Sequence, residues 1–311
     1  MATVTSPNTG NLTLLQKLRK SSTNIKYMIS GMTSAFFSRV ASSPFERVVI
    51  LKQIGQVKQY ESHNKRNSTL RLLWNIKKKE GLYGIFKGNG INFVKNVPLV
   101  AIEFFVFDKV SSMLNSRDTN RSNRFIISLV AGGMAGAVAY SAVYPIDFTR
   151  VMVCVNHIPK EIPFHKLMVY LYKKHGLFSF FRGLSVTLVG IIPFCGAKFV
   201  SYDILTTKLK AYKKLESLSM GENMMCGLAA GIIGATVNYP LDVIRRRRQT
   251  QIIMNKTKNF SYKNMITYIY KKHGLTGFIK GVTGMYYKVG STTAVAFMLN
   301  EKIKEVLHVQ K

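Results

Sequence analysis

Residues 125–143 read FIISLVAGGMAGAVAYSAV without a single charge. That run of about 19 residues is long enough to cross a bilayer as a helix. Met224 to Leu241 is similar. Four weaker spans carry isolated charges: Tyr27 to Phe45 with Arg39, Gly88 to Phe107 with Lys95 and Glu103, Leu184 to Val200 with Lys198, and Gly281 to Leu299 with Lys288. The pattern predicts six transmembrane helices. Charges inside such spans are costly, so they are expected to face a water-filled cavity or each other. A soluble bundle with buried helices is the competing reading, and the span lengths disfavour it.

Two motifs recur along this pattern. SSPFERVVILKQ (42–53), VYPIDFTRVMVC (143–154) and YPLDVIRRRRQT (239–250) share P-x-[DE]. EGLYGIFKG (80–88), HGLFSFFRG (175–183) and HGLTGFIKG (273–281) follow them in the same order. Pro44, Pro145 and Pro240 lie 101 and 95 residues apart, and Gly88, Gly183 and Gly281 lie 95 and 98 apart. Two motifs at one matched period mark a triplicated unit. Each unit reads as a long helix ending near or beyond P-x-[DE], a basic loop, a short amphipathic helix such as STLRLLWNIKKKEG, and a second span starting at [KR]-G. The expected boundaries are a disordered tail over 1–22 and repeats over 23–115, 120–212 and 218–308.

P-x-[DE]-x-x-[KR] followed by G-x-x-x-x-[aromatic]-[KR]-G, three times at about 100-residue spacing, resembles the mitochondrial carrier family. The resemblance covers about residues 22–308. It implies an all-α membrane protein in which six transmembrane helices form three pseudo-threefold repeats with short matrix helices and a central cavity. It also implies an inner-membrane transporter of small anionic metabolites that alternates between matrix-open and cytosol-open states. GNGINFVKNVP (88–98) and FRGLSVTLVGIIPF (181–194) are similar to the ATP-Mg/phosphate, coenzyme A and related adenine-nucleotide carriers. RRRR at 245–248 resembles the ADP/ATP carrier signature, which Arg248-Gln249-Thr250 then breaks. No calcium-binding EF-hand is seen ahead of the repeats, so the calcium-regulated form is not expected.

Charge narrows the partners. The chain has 311 residues, with 45 basic against 14 acidic side chains and a net charge of +31, which points to anionic partners. Hydrophobic residues make up 47%. That fits a membrane protein better than a soluble nucleic-acid binder, and no nucleic-acid partner is expected. The first 26 residues lack Asp and Glu and resemble a transit peptide in composition or a disordered tail. Cys154, Cys195 and Cys226 are odd in number and lack ligand spacing, so they read as structural thiols. Neither a nucleophile nor a metal constellation appears. An enzyme, a cofactor and a metal are therefore not expected, and the chain is expected to work as a monomer.

The motif residues suggest two gates. A proline inside a spanning helix kinks it, so three kinked helices converge at one end. Asp147 with Arg150, and Asp242 with Arg245, stand one turn apart and are able to pair within a helix. The family implies instead that each acid pairs with the base of the next repeat, Glu46 with Arg150 and Asp147 with Arg245, as a matrix gate. Gln53 and Gln249 match the family's glutamine braces, and Cys154 does not. Val49 stands where repeat 1 should supply a base for Asp242, leaving Arg47 or Lys52 as substitutes off the right helical angle. The family's cytosolic gate falls on Asp108, Asp203, and Glu301 with Lys304. Ser111 and Thr206 replace two of its bases, so a weak gate and a resting cytosol-open state are expected.

The substrate site is sought where the repeats differ. Seven residues beyond each [KR]-G glycine stand Lys95, Gly190 and Lys288, where the family's contact points lie. Five residues before each proline stand Arg39, Tyr140 and Ala235. Three uncompensated cations, Arg39, Lys95 and Lys288, would suit phosphate groups. Gly190-Ile191 offers a flat apolar floor, Phe194 an aromatic face, and Asn238 a hydrogen bond to a base. Arg246 is expected to face the cavity. Arg247 and Arg248 are assigned to the helix dipole and anionic lipid. Lys198 and Glu103 either pair across the cavity or shape its entrance. GxxxG at Gly132/Gly136 and Gly227/Gly231 is read as close helix packing. Helices opening at Gly88, Gly183 and Gly281 favour phosphate, which the resemblance identifies with cardiolipin headgroups. The reading is an antiporter of adenine nucleotides. A coenzyme A or adenosine bisphosphate carrier is the alternative, and a non-transporting carrier-like protein is kept beside it.

Overall fold

The computed structural model describes residues 14–57, 60, 68–115, 121–155, 162–214, 217–251 and 261–306. Among these residues the ordered elements are helical. They are α1 (Leu14–Ile54), α2 (Thr69–Ile85), α3 (Asn89–Asn115), α4 (Arg121–Cys154), α5 (Phe164–His175), α6 (Leu184–Lys213), α7 (Met220–Thr250), α8 (Tyr262–His273) and α9 (Val282–Val306). Single 3-10 turns over Leu177–Phe181 and Leu275–Phe278 precede α6 and α9. Long, short, long is thus the order in each repeat.

The chain divides into two compact units, one over Ser42–Val289 and one from 1–41 with 290–311. In the second unit, Phe36 and Phe37 meet edge to face at 5.4 Å, and Ser38 donates to the Ala35 carbonyl. Arg39 is half-buried there, on α1.

Within 42–289 the three repeats can be compared directly. Pro44, Pro145 and Pro240 all lie inside their helices, which run on past them to Ile54, Cys154 and Thr250. Each tail packs on the short helix of its own repeat. Val48 and Leu51 meet Leu72 and Ile76. Phe148 and Met152 meet Leu167 and Leu171. Val243 and Ile244 meet Met265 and Ile269. Burying one such side chain contributes about 1.5–3 kcal/mol. Ser219 and Glu222 form a capping box that sets the start of α7.

Glycine is required at the second motif. Gly88, Gly183 and Gly281 have φ of +86°, +89° and +95°. A Cβ there would approach the carbonyl of the fifth residue after the next repeat's proline: Arg150 at 3.6 Å, Arg245 at 3.2 Å and Val49 at 3.6 Å. The starts of α3, α6 and α9 are therefore pinned against the following repeat. Two tyrosines tie the same points together, since Tyr144 donates to the Arg182 carbonyl at 3.0 Å and Tyr239 to the Lys280 carbonyl at 2.8 Å.

Large apolar side chains are exposed on α3 and α6, with Val97 74% and Ile192 76% exposed. Exposed apolar surface on this scale is foreign to a soluble monomer. The helical stretches over 177–213 and 220–250 are long and apolar enough to cross a membrane.

The GxxxG reading is corrected. A Cβ at Gly132, Gly136, Gly227 or Gly231 would meet nothing within 4 Å among the described residues. Gly132, Gly136 and Gly231 line the cavity instead. Close approach of α6 and α7 occurs at Gly234, where a Cβ would stand 3.0 Å from the Phe194 carbonyl oxygen.

Candidate functional site

The unit over 42–289 holds a cavity of about 580 Å³, within the range of about 300–1,000 Å³ usual for small-molecule sites. Lys95, Gly190, Ile191, Phe194, Asn238, Arg246 and Lys288 line it, as do Glu46, Asp147, Arg150, Asp242, Arg245 and Gln53. The expected contact residues other than Arg39 and the expected matrix-gate residues other than Gln249 therefore share one surface. Arg39 lies in the other compact unit.

The acids and bases pair between repeats. Arg150 Nη2 lies 2.6 Å from Glu46 Oε2, and Arg245 Nη2 lies 2.6 Å from Asp147 Oδ2. Gln249 is fully buried, and its amide donates to the Tyr144 hydroxyl at 3.0 Å and toward Asp147 at 3.5 Å. Gln53 is buried too, and its carbonyl accepts from Arg247 Nε at 3.0 Å. In the equivalent place Cys154 Sγ donates to the Lys87 carbonyl.

The expectation of uncompensated cations is corrected by these contacts. Lys95 Nζ lies 3.0 Å from Asp147 Oδ1, and Lys288 Nζ lies 2.8 Å from Glu46 Oε1. Arg246 also reaches Asp147, at 3.1 Å, and donates to Gln249 at 3.0 Å. A lysine in so closed a place is stable only when its charge is met, and the nearest carboxylates are those of the ring.

The substitutes offered for Val49 are corrected as well. Arg47 is 2% exposed and turns away from Asp242. It pairs with Glu80 at 2.8 Å, donates to the Gly84 and Cys154 carbonyls, and holds Tyr60 together with Glu80. Burial and the Glu80 carboxylate push the Tyr60 phenol above its usual range. Lys52 donates to Thr69. Val49 itself is buried with Tyr239, Val243 and Met285. Asp242 consequently has neither ion pair nor hydrogen bond among the described residues, although it lines the cavity.

The arginine run separates by helical angle. Arg245 and Arg246 meet Asp147. Arg247 is 6% exposed and bound to the Gln53 carbonyl, which corrects its assignment to lipid. Arg248 lies over the Tyr262 ring at 5.2 Å. Glu103 and Lys198 both line the cavity without pairing to each other, and Lys198 lies over Phe194 at 6.0 Å. Asp108 and Asp203 are exposed and make no ion pair among the described residues. The side chains of Glu301 and Lys304 lie outside the described residues.

Sequence reasoning missed Tyr144 and Tyr239, although a tyrosine directly before proline in two of three repeats was a signal. It also missed that one count joins the residue seven beyond [KR]-G to the acid of the next repeat.

The sequence profile of the family described as mitochondrial carrier protein matches residues 20–118, 121–213 and 216–311. The chain belongs to the mitochondrial carrier family. Members of this family are transporters, and the fold is the family's all-α arrangement of three repeats. This carrier is 32% identical to the mitochondrial adenine nucleotide transporter ADNT1 of Arabidopsis thaliana, over 92% of this chain and 88% of that protein. It is 29% identical to the calcium-dependent mitochondrial ATP-magnesium/phosphate carrier protein 3 of the same plant, over 90% of this chain. It spans 56% of that relative's length. It is 27% identical to solute carrier family 25 member 16 of Mus musculus, over 92% of this chain and 89% of that protein.

Proposed function

We propose that this carrier exchanges adenine nucleotides across the mitochondrial inner membrane. One observation carries the reading: Lys95 and Lys288, in equivalent places of two repeats, line a cavity that Gly190, Ile191 and Phe194 make apolar on the third side. Phosphate oxygens compete with carboxylates for the same lysines by charge-assisted hydrogen bonds. A nucleotide's phosphates draw Lys95 from Asp147 and Lys288 from Glu46, while its base lies on Ile191 and Phe194. Arg246 adds positive charge along the path.

In this reading Glu46, Asp147, Asp242, Arg150 and Arg245, braced by Gln53 and Gln249, are the matrix gate. Asp108, Asp203, Glu301 and Lys304 are the cytosolic one. Losing lysines to the substrate loosens two of the acids, and that couples binding to opening. The formed Glu46–Arg150 and Asp147–Arg245 pairs, beside an Asp108 and an Asp203 that make no ion pair among the described residues, favour a resting cytosol-open state. Cardiolipin phosphates are assigned to the helix starts after Gly88, Gly183 and Gly281. The names of the adenine-nucleotide relatives agree with the substrate class.

Uptake of labelled ADP into liposomes carrying the purified protein tests the function. Rapid exchange against internal ATP, ADP or AMP is expected, reduced about 10- to 100-fold in Lys288→Ala, the worth of one charged hydrogen bond. Exchange with coenzyme A alone, or with none of these, refutes the reading. The gate state has its own probe. Cys154 and Cys226 are buried, whereas Cys195 lines the cavity. An impermeant thiol reagent applied from the cytosolic side should label Cys195 in the resting protein, and protection there would sink the cytosol-open assignment.

A further inference from the structure

The lysine-to-acid rule leaves one acid out. Lys95, seven residues beyond Gly88, reaches Asp147, and Lys288, seven beyond Gly281, reaches Glu46. The equivalent residue of repeat 2 is Gly190, so no side chain is sent to Asp242. The base that the next repeat should send is Val49. Both departures from threefold symmetry fall on the same carboxylate. Asp242 is left facing the cavity without an ion pair or hydrogen bond among the described residues.

A second acceptor stands beside it. Asn238 lies four residues earlier on α7 and therefore on the same face, and it lines the same cavity. Its Oδ1 is buried and has no hydrogen-bond partner. A Cβ at residue 190 would stand 2.6 Å from that oxygen. Gly190 is therefore more than a flat floor, since its missing side chain makes the room the amide occupies. Leaving a buried acceptor unmet is costly. Arg245, Arg246 and Lys288 act on Asp242 through charge, yet neither acceptor has a hydrogen bond among the described residues, and two such acceptors on one cavity wall describe a site waiting for a donor.

We propose that Asp242 and Asn238 form an acceptor subsite that binds the exocyclic amine of a 6-aminopurine. The assignment rests on the nucleotide reading and deepens it. An amine directs two N–H bonds apart by about 120°, so acceptors at about 2.9 Å from its nitrogen lie about 5 Å from each other. Side chains four apart on a helix have Cβ atoms about 5–6 Å apart, so the oxygens of two short side chains are able to span that distance. Ile191 and Phe194 flank the place where the ring lies. The phosphates then point toward Lys95 and Lys288, and the substrate has one orientation. A 6-oxopurine sets a carbonyl against the Asp242 carboxylate and offers only its ring N1–H on that edge, so at most one acceptor is met, and sites built this way reject the analogue.

The test is competition against labelled ADP uptake in proteoliposomes, with EDTA present so that no metal bridges the carboxylate. Unlabelled ADP, inosine diphosphate and 2′-deoxyADP are compared. The wild-type protein should prefer ADP over inosine diphosphate by about tenfold or more, with 2′-deoxyADP within about threefold of ADP. Asp242→Asn presents an N–H to the oxo group and should bring the ADP to inosine diphosphate ratio below about threefold. Asn238→Ala, a second variant, should narrow it in the same direction. A general gate defect slows both nucleotides alike and leaves the ratio unmoved. Equal competition by ADP and inosine diphosphate in the wild type overturns the subsite while the nucleotide reading stands. Loss with 2′-deoxyADP but not with inosine diphosphate moves the acceptors to the sugar and overturns it too. No exchange of any nucleotide would instead fail the function on which the proposal rests.

Discussion

Asp147 and Asp242 occupy the same place in consecutive repeats and live in opposite surroundings. Asp147 is held by Lys95, Arg245 and Arg246 and has a side chain only 2% exposed. Asp242 makes no ion pair or hydrogen bond among the described residues, and Arg245, Arg246 and Lys288 act on it only through their charge. Both acids follow a proline by two residues, on helices that both run on past it, so the local sequence does not account for the difference. Two absent side chains do: Val49 in place of a base, and Gly190 in place of a lysine. Where the symmetry is kept the acid pairs with the bases of its neighbours, and where it is broken the acid has no direct partner among the described residues.

The largest expected effect breaks the well-served acid. Asp147→Asn leaves Lys95, Arg245 and Arg246 crowded without their counter-charge, and removing one partner of a buried pair costs about 3–5 kcal/mol. Asp242→Asn should change unfolding stability by no more than about 0.5 kcal/mol, since it removes no pair. Thermal unfolding of the two purified variants decides this, and equal losses would show that Asp242 has a partner after all. Val49→Lys sharpens the contrast by restoring the missing base. It trades an apolar contact with Tyr239 and Met285 for a charge beside Asp242, and should cost about 1–3 kcal/mol through that packing. It should also lower the preference for ADP over inosine diphosphate, because the acceptor is then occupied. Unchanged preference would mean that the base does not reach Asp242. The smallest effect is expected at the brace beneath Asp147. Tyr144→Phe removes the bond to the Arg182 carbonyl and the acceptor of Gln249, worth about 1 kcal/mol. No loss of unfolding stability would show that Gln249 braces the ring through Asp147 alone.

Much of this was legible in order along the chain. Span lengths, the three prolines, the two recurring motifs and the threefold count follow from residue types at fixed spacing, because helical geometry turns spacing into a face and a depth. That reasoning placed Lys95, Gly190, Lys288, Asn238 and Arg246 on the cavity wall before any coordinates. It also noticed that Val49 leaves Asp242 short of a base. What it misjudged were distances between helices. Arg47 is one residue from Glu46, yet a turn of about 100° per residue sends it to Glu80 and Tyr60 instead of the ring. The same turn separates Arg246, on the cavity, from Arg247, bound under Gln53.

The sequence by itself determined the repeat, the kinks, the chemistry of each position and the breaks in symmetry, since each depends on neighbours along the chain. Tertiary structure alone decided which charges meet. It brought Lys95 and Lys288 onto the acids of the following repeat, left Asp242 and the Asn238 oxygen without a hydrogen bond among the described residues, and turned the GxxxG glycines toward open space. An ion pair forms or fails over an ångström or two, and that last distance is set by how neighbouring helices cross, which no single helix carries in its own residues.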